Sequence, residues 1–172
     1  MKLNVRPART SDAELAIQTV IASIRELCVA DHHNDAATLE RWLSNKTPAN
    51  FETWINNPEN FCVIGEVGGV LSAVGLLHNS GEIRLFYVAP DSQRQGLGAA
   101  IHTALEAHAS LLDMERLCLC STDAARSFYE RAGYQASGAR KHMYGQLWCF
   151  PYTRQLQPDH SSERTRENPR VA

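Results

Sequence analysis

The stretch from Glu82 to Leu112 constrains the fold most, because within it the hydrophobic period changes from two to three-and-four across a short glycine-containing loop. Glu82-Ile83-Arg84-Leu85-Phe86-Tyr87-Val88 reads as a strand, and Leu97, Ile101, Ala104, Leu105 and His108 mark one face of a long helix. Between them lie Ala89-Pro90, a polar loop and the run Gln93-Arg94-Gln95-Gly96-Leu97-Gly98. A helix that starts directly after such a loop presents first-turn N–H groups that no intrahelical carbonyl reaches. Glycine at positions 96 and 98 lets backbone approach a bulky ligand, and the helix dipole adds about half a positive charge there. Those donors suit an anion, a pyrophosphate above all. No Lys-Ser or Lys-Thr follows the glycines, which excludes a P-loop, and the three-glycine dinucleotide fingerprint is absent.

The remaining segments arrange themselves around this unit. Lys2 to Ala8 alternates as a first strand, and the spacing Ser11-Asp12-Ala13-Glu14 predicts a capping box opening a helix whose buried face is Ile17, Val20, Ile21, Ile24, Leu27 and Cys28. Asp31-His32-His33-Asn34-Asp35 interrupts that period and reads as a polar loop; helical character resumes from Thr38 to Trp42, and a turn at Lys46 to Asn50 leads to Phe51, Trp54 and Ile55. Phe61 to Val67 and Val70 to Leu77 form a hairpin around Gly68-Gly69. Arg116 to Cys120 is a short apolar strand, Ala124 to Ala132 a helix stopped by Gly133, and Tyr134 to Leu156 contains strand-like pieces. This order predicts an α/β single domain over residues 1–156, a mixed sheet with helices on both faces. Residues 157–172 carry almost nothing apolar and are expected to be a disordered tail.

Composition removes several function classes. The 172 residues carry a formal net charge of -2, so no strong field draws the molecule to nucleic acid or an anionic membrane. No stretch approaches the roughly 20 apolar residues of a membrane span, and Met1 to Pro7 lacks a signal-peptide core, which predicts a cytoplasmic protein. Cys28, Cys62, Cys118, Cys120 and Cys149 form an odd set without a C-x-x-C pair, so we expect core thiols in a reducing compartment. Adjacent His32 and His33 rarely face one ion together, so no metal site is expected.

Two motifs at the right separation then carry a resemblance. Gln93 to Gly98 fits the pattern Gln or Arg, two residues, Gly, one residue, Gly or Ala. Downstream, Ala125-x-x-x-Tyr129-x-x-x-Gly133-Tyr134 follows the strand Leu117 to Cys120. Together they resemble the GCN5-related N-acetyltransferase (GNAT) superfamily. The resemblance implies two central parallel strands splayed to admit acetyl-CoA, with the pantetheine arm on the main chain of Phe86 and Val88. It implies a pyrophosphate loop of Gln93, Arg94, Gln95, Gly96, Leu97, Gly98 and Ala99, and Thr122 stands at a cofactor position where many relatives have Asn. By the same likeness Tyr129 reaches the sulfur as general acid and the Phe86 N–H faces the developing oxyanion. Glu82 matches the catalytic glutamate of histone-acetylating members, and His78 is a second candidate base because its ordinary pKa suits neutral pH. The acceptor pocket would involve Arg25, Glu26, Asp31, His32, His33, Trp42 and parts of Tyr144 to Trp148. The expected activity is direct acetylation of a primary amine on a small molecule or peptide. The alternative is a non-catalytic acyl-CoA-binding sensor or accessory protein. Whether subunits pair into a homodimer is open.

Overall fold

A computed structural model describes residues 2–156, so the tail expected at 157–172 lies outside the described residues. Alternating apolar residues build the first half of the sheet: β1 (Leu3–Pro7), β2 (Asn60–Val67), β3 (Val70–His78) and β4 (Ile83–Val88) pair in that order, all antiparallel. The second half is β5 (Arg116–Ser121), β6 (Gln135–Ala136), β7 (Lys141–Tyr144) and β8 (Leu147–Gln155), with β8 pairing all three others. The halves meet where β4 and β5 run parallel. Glu82 and Cys118 form a bridge, the Cys118 N–H donating to the Gly81 carbonyl at 2.9 Å, and among the described residues no further ladder pair joins the two strands. They diverge from that point as the arms of a V.

Each face of the sheet buries its own core. On one side α1 (Ala13–Leu27), α2 (Val29–His32), α3 (Ala36–Leu43) and α4 (Pro48–Asn56) pack Ile17, Val20, Ile24, Trp42 and Phe51 against Ile64, Val74 and Leu85. On the other, α5 (Leu97–Leu111) and α6 (Arg126–Arg131) pack Leu97, Ile101, Leu105 and Tyr129 against Val63, Leu77, Ile83 and Leu117. Helix α5 lies close because β3 carries Gly75 beneath it; a Cβ there would stand 2.7 Å from Ile101 Cγ2. Burying an apolar side chain such as Ile101 or Phe51 contributes roughly 1.5–3 kcal/mol.

Three local expectations need correction. The Ser11–Glu14 capping box does not form: Thr10–Asp12 is a 3-10 turn, and Asp12 accepts the Arg9 N–H at 2.7 Å and two guanidinium bonds from Arg6. Because Thr10–Asp12 is a 3-10 turn, Asp12 and not Ser11 stands at the start of α1, and Arg6 pulls the Asp12 pKa below the ordinary carboxylate value. The segment at Asp31 is not a solvated loop, since Asp31 and His32 are 5% and 0% exposed. Both His32 nitrogens are used, Nε2 donating to the Ile24 carbonyl and Nδ1 accepting the Asn34 N–H.

The third correction concerns the thiols. Cys28 and Cys62 are buried and free as expected, and burial pushes both up to about 12. Cys120 and Cys149 instead form a disulfide across β5 and β8, their Cα atoms 5.3 Å apart. Sequence spacing hid this pairing because it depends on strand register. A link closing 29 residues stabilises by about 3.6 kcal/mol on the chain-entropy account. Dithiothreitol added to oxidised protein should therefore lower Tm by roughly 7–14 °C, and the Cys120→Ser variant should show no such response.

Candidate active site

The V between β4 and β5 opens into a cleft of about 560 Å³. Ile83, Arg84, Phe86, Tyr87 and Val88 supply one wall and Leu119 to Thr122 the other, while Ser23, Leu27 and Cys28 of α1 and its C-terminal end close one side, and Phe128 and Tyr129 of α6 the other. The glycine loop forms the rim: Gln93, Arg94, Gly96, Gly98 and Ala99 all line the cleft. Among the described residues, no backbone N–H from Gln93 through Ala99 donates a hydrogen bond, and the first that does is Ala100, to the Gly96 carbonyl at 3.0 Å. Arg94 and Gly96 take φ of 60° and 83°. Such alternation of left-handed residues gathers successive N–H groups into an anion-binding nest, here placed at the positive end of a 15-residue helix. Arg94 accepts left-handed strain that glycine avoids, which favours a site where backbone geometry serves a ligand.

The structure divides the sequence-derived loop set. Leu97 is 1% exposed, its side chain packed in the α5 core, and it does not line the cleft. Gln95 turns back to donate to the Asp91 carbonyl and does not line the cleft. Phe86, Val88 and Thr122 do line it. A Cβ on residue 98 would sit 3.4 Å from Phe128 Cε2, so the small residue there keeps the rim open.

Tyr129 is 5% exposed and lines the cleft. Its ring is held by Phe86, Phe128 and Tyr134, at centroid distances of 5.7, 5.3 and 5.5 Å. Burial raises its pKa above the ordinary phenol value, with smaller contributions from Tyr134 and Tyr87, so it stays protonated through neutral pH. The neighbouring phenol of Tyr134 is taken, bonded to His102 Nε2 at 3.0 Å, and lies off the cleft. A phenol in the cleft wall with a proton to give is what a departing thiolate requires.

Neither candidate base lines the cleft. Glu82 Oε2 accepts from Arg84 Nε at 2.8 Å, and Arg84 does line it. His78 Nδ1 accepts the Ser80 N–H, and Nε2 stands 3.5 Å from Glu59. Of the expected acceptor residues, Trp42 is 7% exposed in the α1 core, Tyr144 packs against that core, and Arg41 lies 5.6 Å over the Tyr144 ring. Sequence reasoning passed over Arg84, Cys28 and the role of Asp31. The Asp31 carboxylate accepts the Asp123 N–H at 2.6 Å and the Ala124 N–H at 3.3 Å, fastening the loop that forms one cleft wall. Burial raises its pKa, against the two N–H bonds that lower it. No local pattern announces a bond between residues so far apart.

A second cavity of about 510 Å³ lies between α5 and the β6–β8 edge, next to the Glu106–Arg154 ion pair, and contains none of these residues. Among the described residues no three His, Cys, Asp or Glu side chains gather as metal ligands, and no helix is long and apolar enough to cross a membrane.

Comparison with known proteins agrees with this geometry. No curated protein matches the sequence. Among solved structures, a GCN5-related N-acetyltransferase from Rhodopseudomonas palustris superposes with a TM-score of 0.81 at 24% identity, covering 91% of this chain and 97% of that one. The PaiA N-acetyltransferase of Thermoplasma acidophilum, solved in complex with coenzyme A, gives 0.77 at 15% identity, covering 91% of this chain and 100% of that one. A GCN5-related N-acetyltransferase from Ralstonia eutropha gives 0.66 at 22%, covering 83% and 99%. These likenesses establish the fold. The sequence pattern of the acetyltransferase (GNAT) domain matches residues 28–156, from the α1 end through β8, and the chain therefore belongs to the GNAT acetyltransferase family.

Proposed function

We propose that this protein transfers the acetyl group of acetyl-CoA directly to a primary amine of a small molecule or peptide. The observation that carries the reading is the run of N–H groups from Gln93 to Ala99 that have no hydrogen-bond partner among the described residues, on the same cleft as the Tyr129 phenol, which likewise has none among them. Acetyl-CoA supplies a thioester, an acyl group already activated for attack by an amine. The glycine loop holds its pyrophosphate, and the main chain of Phe86 and Val88 aligns the arm between the splayed strands. In the transfer the N–C bond forms, the C–S bond breaks, and Tyr129 gives its proton to the sulfur. The amine's proton goes to solvent in this reading rather than to Glu82 or His78, which stand away from the lining.

Titration calorimetry with acetyl-CoA, followed by assay of free thiol release across a panel of amines, tests the reading. Binding together with amine-dependent release is expected. No heat of binding from folded protein ends it, and binding without release from any amine favours the sensor alternative.

A further inference from the structure

The acceptor side of the cleft carries a side chain that the transfer chemistry does not use. In the β3–β4 ladder Leu76 pairs with Leu85 and Leu77 with Ile83, so Arg84 is an extra residue with no cross-strand partner, a β-bulge. Ile83 and Phe86 belong to the α5 core, Leu85 and Tyr87 to the α1 core, and Arg84 projects at the wall between β4 and β5. It sits two residues from the Glu82–Cys118 bridge, at the closed end of the V, and roughly 13 Å of strand separates it from Val88 and the glycine loop beyond. Arg84 is therefore near the reacting end and far from the pyrophosphate rim.

Its guanidinium is half committed. Nε donates to Glu82 Oε2, and among the described residues neither Nη1 nor Nη2 donates to anything. That leaves the two parallel N–H groups that match a carboxylate in bidentate geometry, with Glu82 fixing the orientation. The surrounding charges point the same way. Among the described residues, Arg84, Arg131 and, on the glycine-loop rim, Arg94 line the cleft, and no aspartate or glutamate does. Asp31, a buried carboxylate of α2, is spent on the Asp123 and Ala124 N–H groups. A polycationic amine would meet guanidinium groups along this lining, and the carboxylate beside Arg84, that of Glu82, is engaged by the Arg84 Nε.

We propose that the acceptor is an amine that also carries a carboxylate, an amino acid or a peptide with an anionic group near the reacting nitrogen, and that Arg84 is its specificity-determining residue. This inference rests on the acetyl-transfer reading above and adds the substrate class. The test compares thiol release from acetyl-CoA with carboxylate-bearing amines, their amides and methyl esters, and a linear polyamine, using wild type, Arg84→Met and Arg84→Lys. The acceptor KM of wild type should be at least about tenfold lower for a carboxylate amine than for its amide. Arg84→Met should erase that difference, Arg84→Lys should keep part of it, and the KM for acetyl-CoA should stay within about twofold. Arg84 is exposed, 44% at its side chain, so these variants are expected to fold, with circular dichroism as the check. Equal or better use of the amides or the polyamine overturns the Arg84 assignment while leaving acetyl transfer standing. So does an Arg84→Met defect that falls on acetyl-CoA alone. No release from any amine by protein that binds acetyl-CoA overturns both.

Discussion

Replacing Tyr129 with phenylalanine should lower kcat by about a hundredfold or more while acetyl-CoA affinity holds within a factor of two or so. The expectation follows from what surrounds the phenol. Its hydroxyl has no hydrogen-bond partner among the described residues, so deleting it leaves no orphaned donor or acceptor among them, and the ring contacts with Phe86, Phe128 and Tyr134 persist. Stability should therefore move by less than about 1 kcal/mol, which separates a chemical loss from an unfolding loss. The neighbouring tyrosines are placed differently. Tyr134 is bonded to His102 away from the cleft, and Tyr87, which also lines the cleft, packs its ring against the α1 core, where burial raises its pKa. Steady-state kinetics paired with calorimetry decides the matter. An unchanged kcat would move the acid elsewhere or show that the thiolate leaves without one.

How far the sequence disclosed this site depends on whether each feature is local. The glycine loop and the α6 motif are local patterns whose spacing is set by one strand-to-helix turn and one helical turn, so both were legible and fell where expected. The hairpin at Gly68-Gly69 and the long helix from Leu97 were legible for the same reason, since period and turn chemistry act over a few residues. What escaped depends on register or on distance in the chain. The Cys120–Cys149 pair exists because Cys120 lies opposite Pro151 on β8, two residues from Cys149, and no composition rule fixes that alignment. Arg84 reads as one more exposed strand residue until the β3–β4 register shows it to be the unpaired one. The polar look of Asp31 to Asp35 misled because burial of Asp31 and His32 is made tolerable by bonds to Asp123, Ala124, Ile24 and Asn34, three of which lie outside the segment.

Asp31 gives the largest expected effect on stability among the site residues. Its carboxylate holds two N–H groups of the turn that leads into α6. Asp31→Ala removes the acceptor from two main-chain donors that lie 92 and 93 residues away, and should destabilise the fold by about 3 kcal/mol, or roughly 6–12 °C in Tm. Asp31→Asn keeps one acceptor oxygen and should lose less than half of that. The functional consequence follows from position. Thr122, Ala124 and Ala125 form the cleft wall facing the glycine loop, and α6 carries Tyr129 one turn further on. A turn released from Asp31 lets that wall move, so acetyl-CoA should bind about tenfold more weakly to Asp31→Ala, with Asp31→Asn between it and wild type. Chemical denaturation and calorimetry on the same three proteins measure both quantities. If affinity falls in step with stability across the series, Asp31 positions the cofactor wall; if stability falls and affinity does not, the wall is held by β5 and α6 alone and the α2 contact serves folding only.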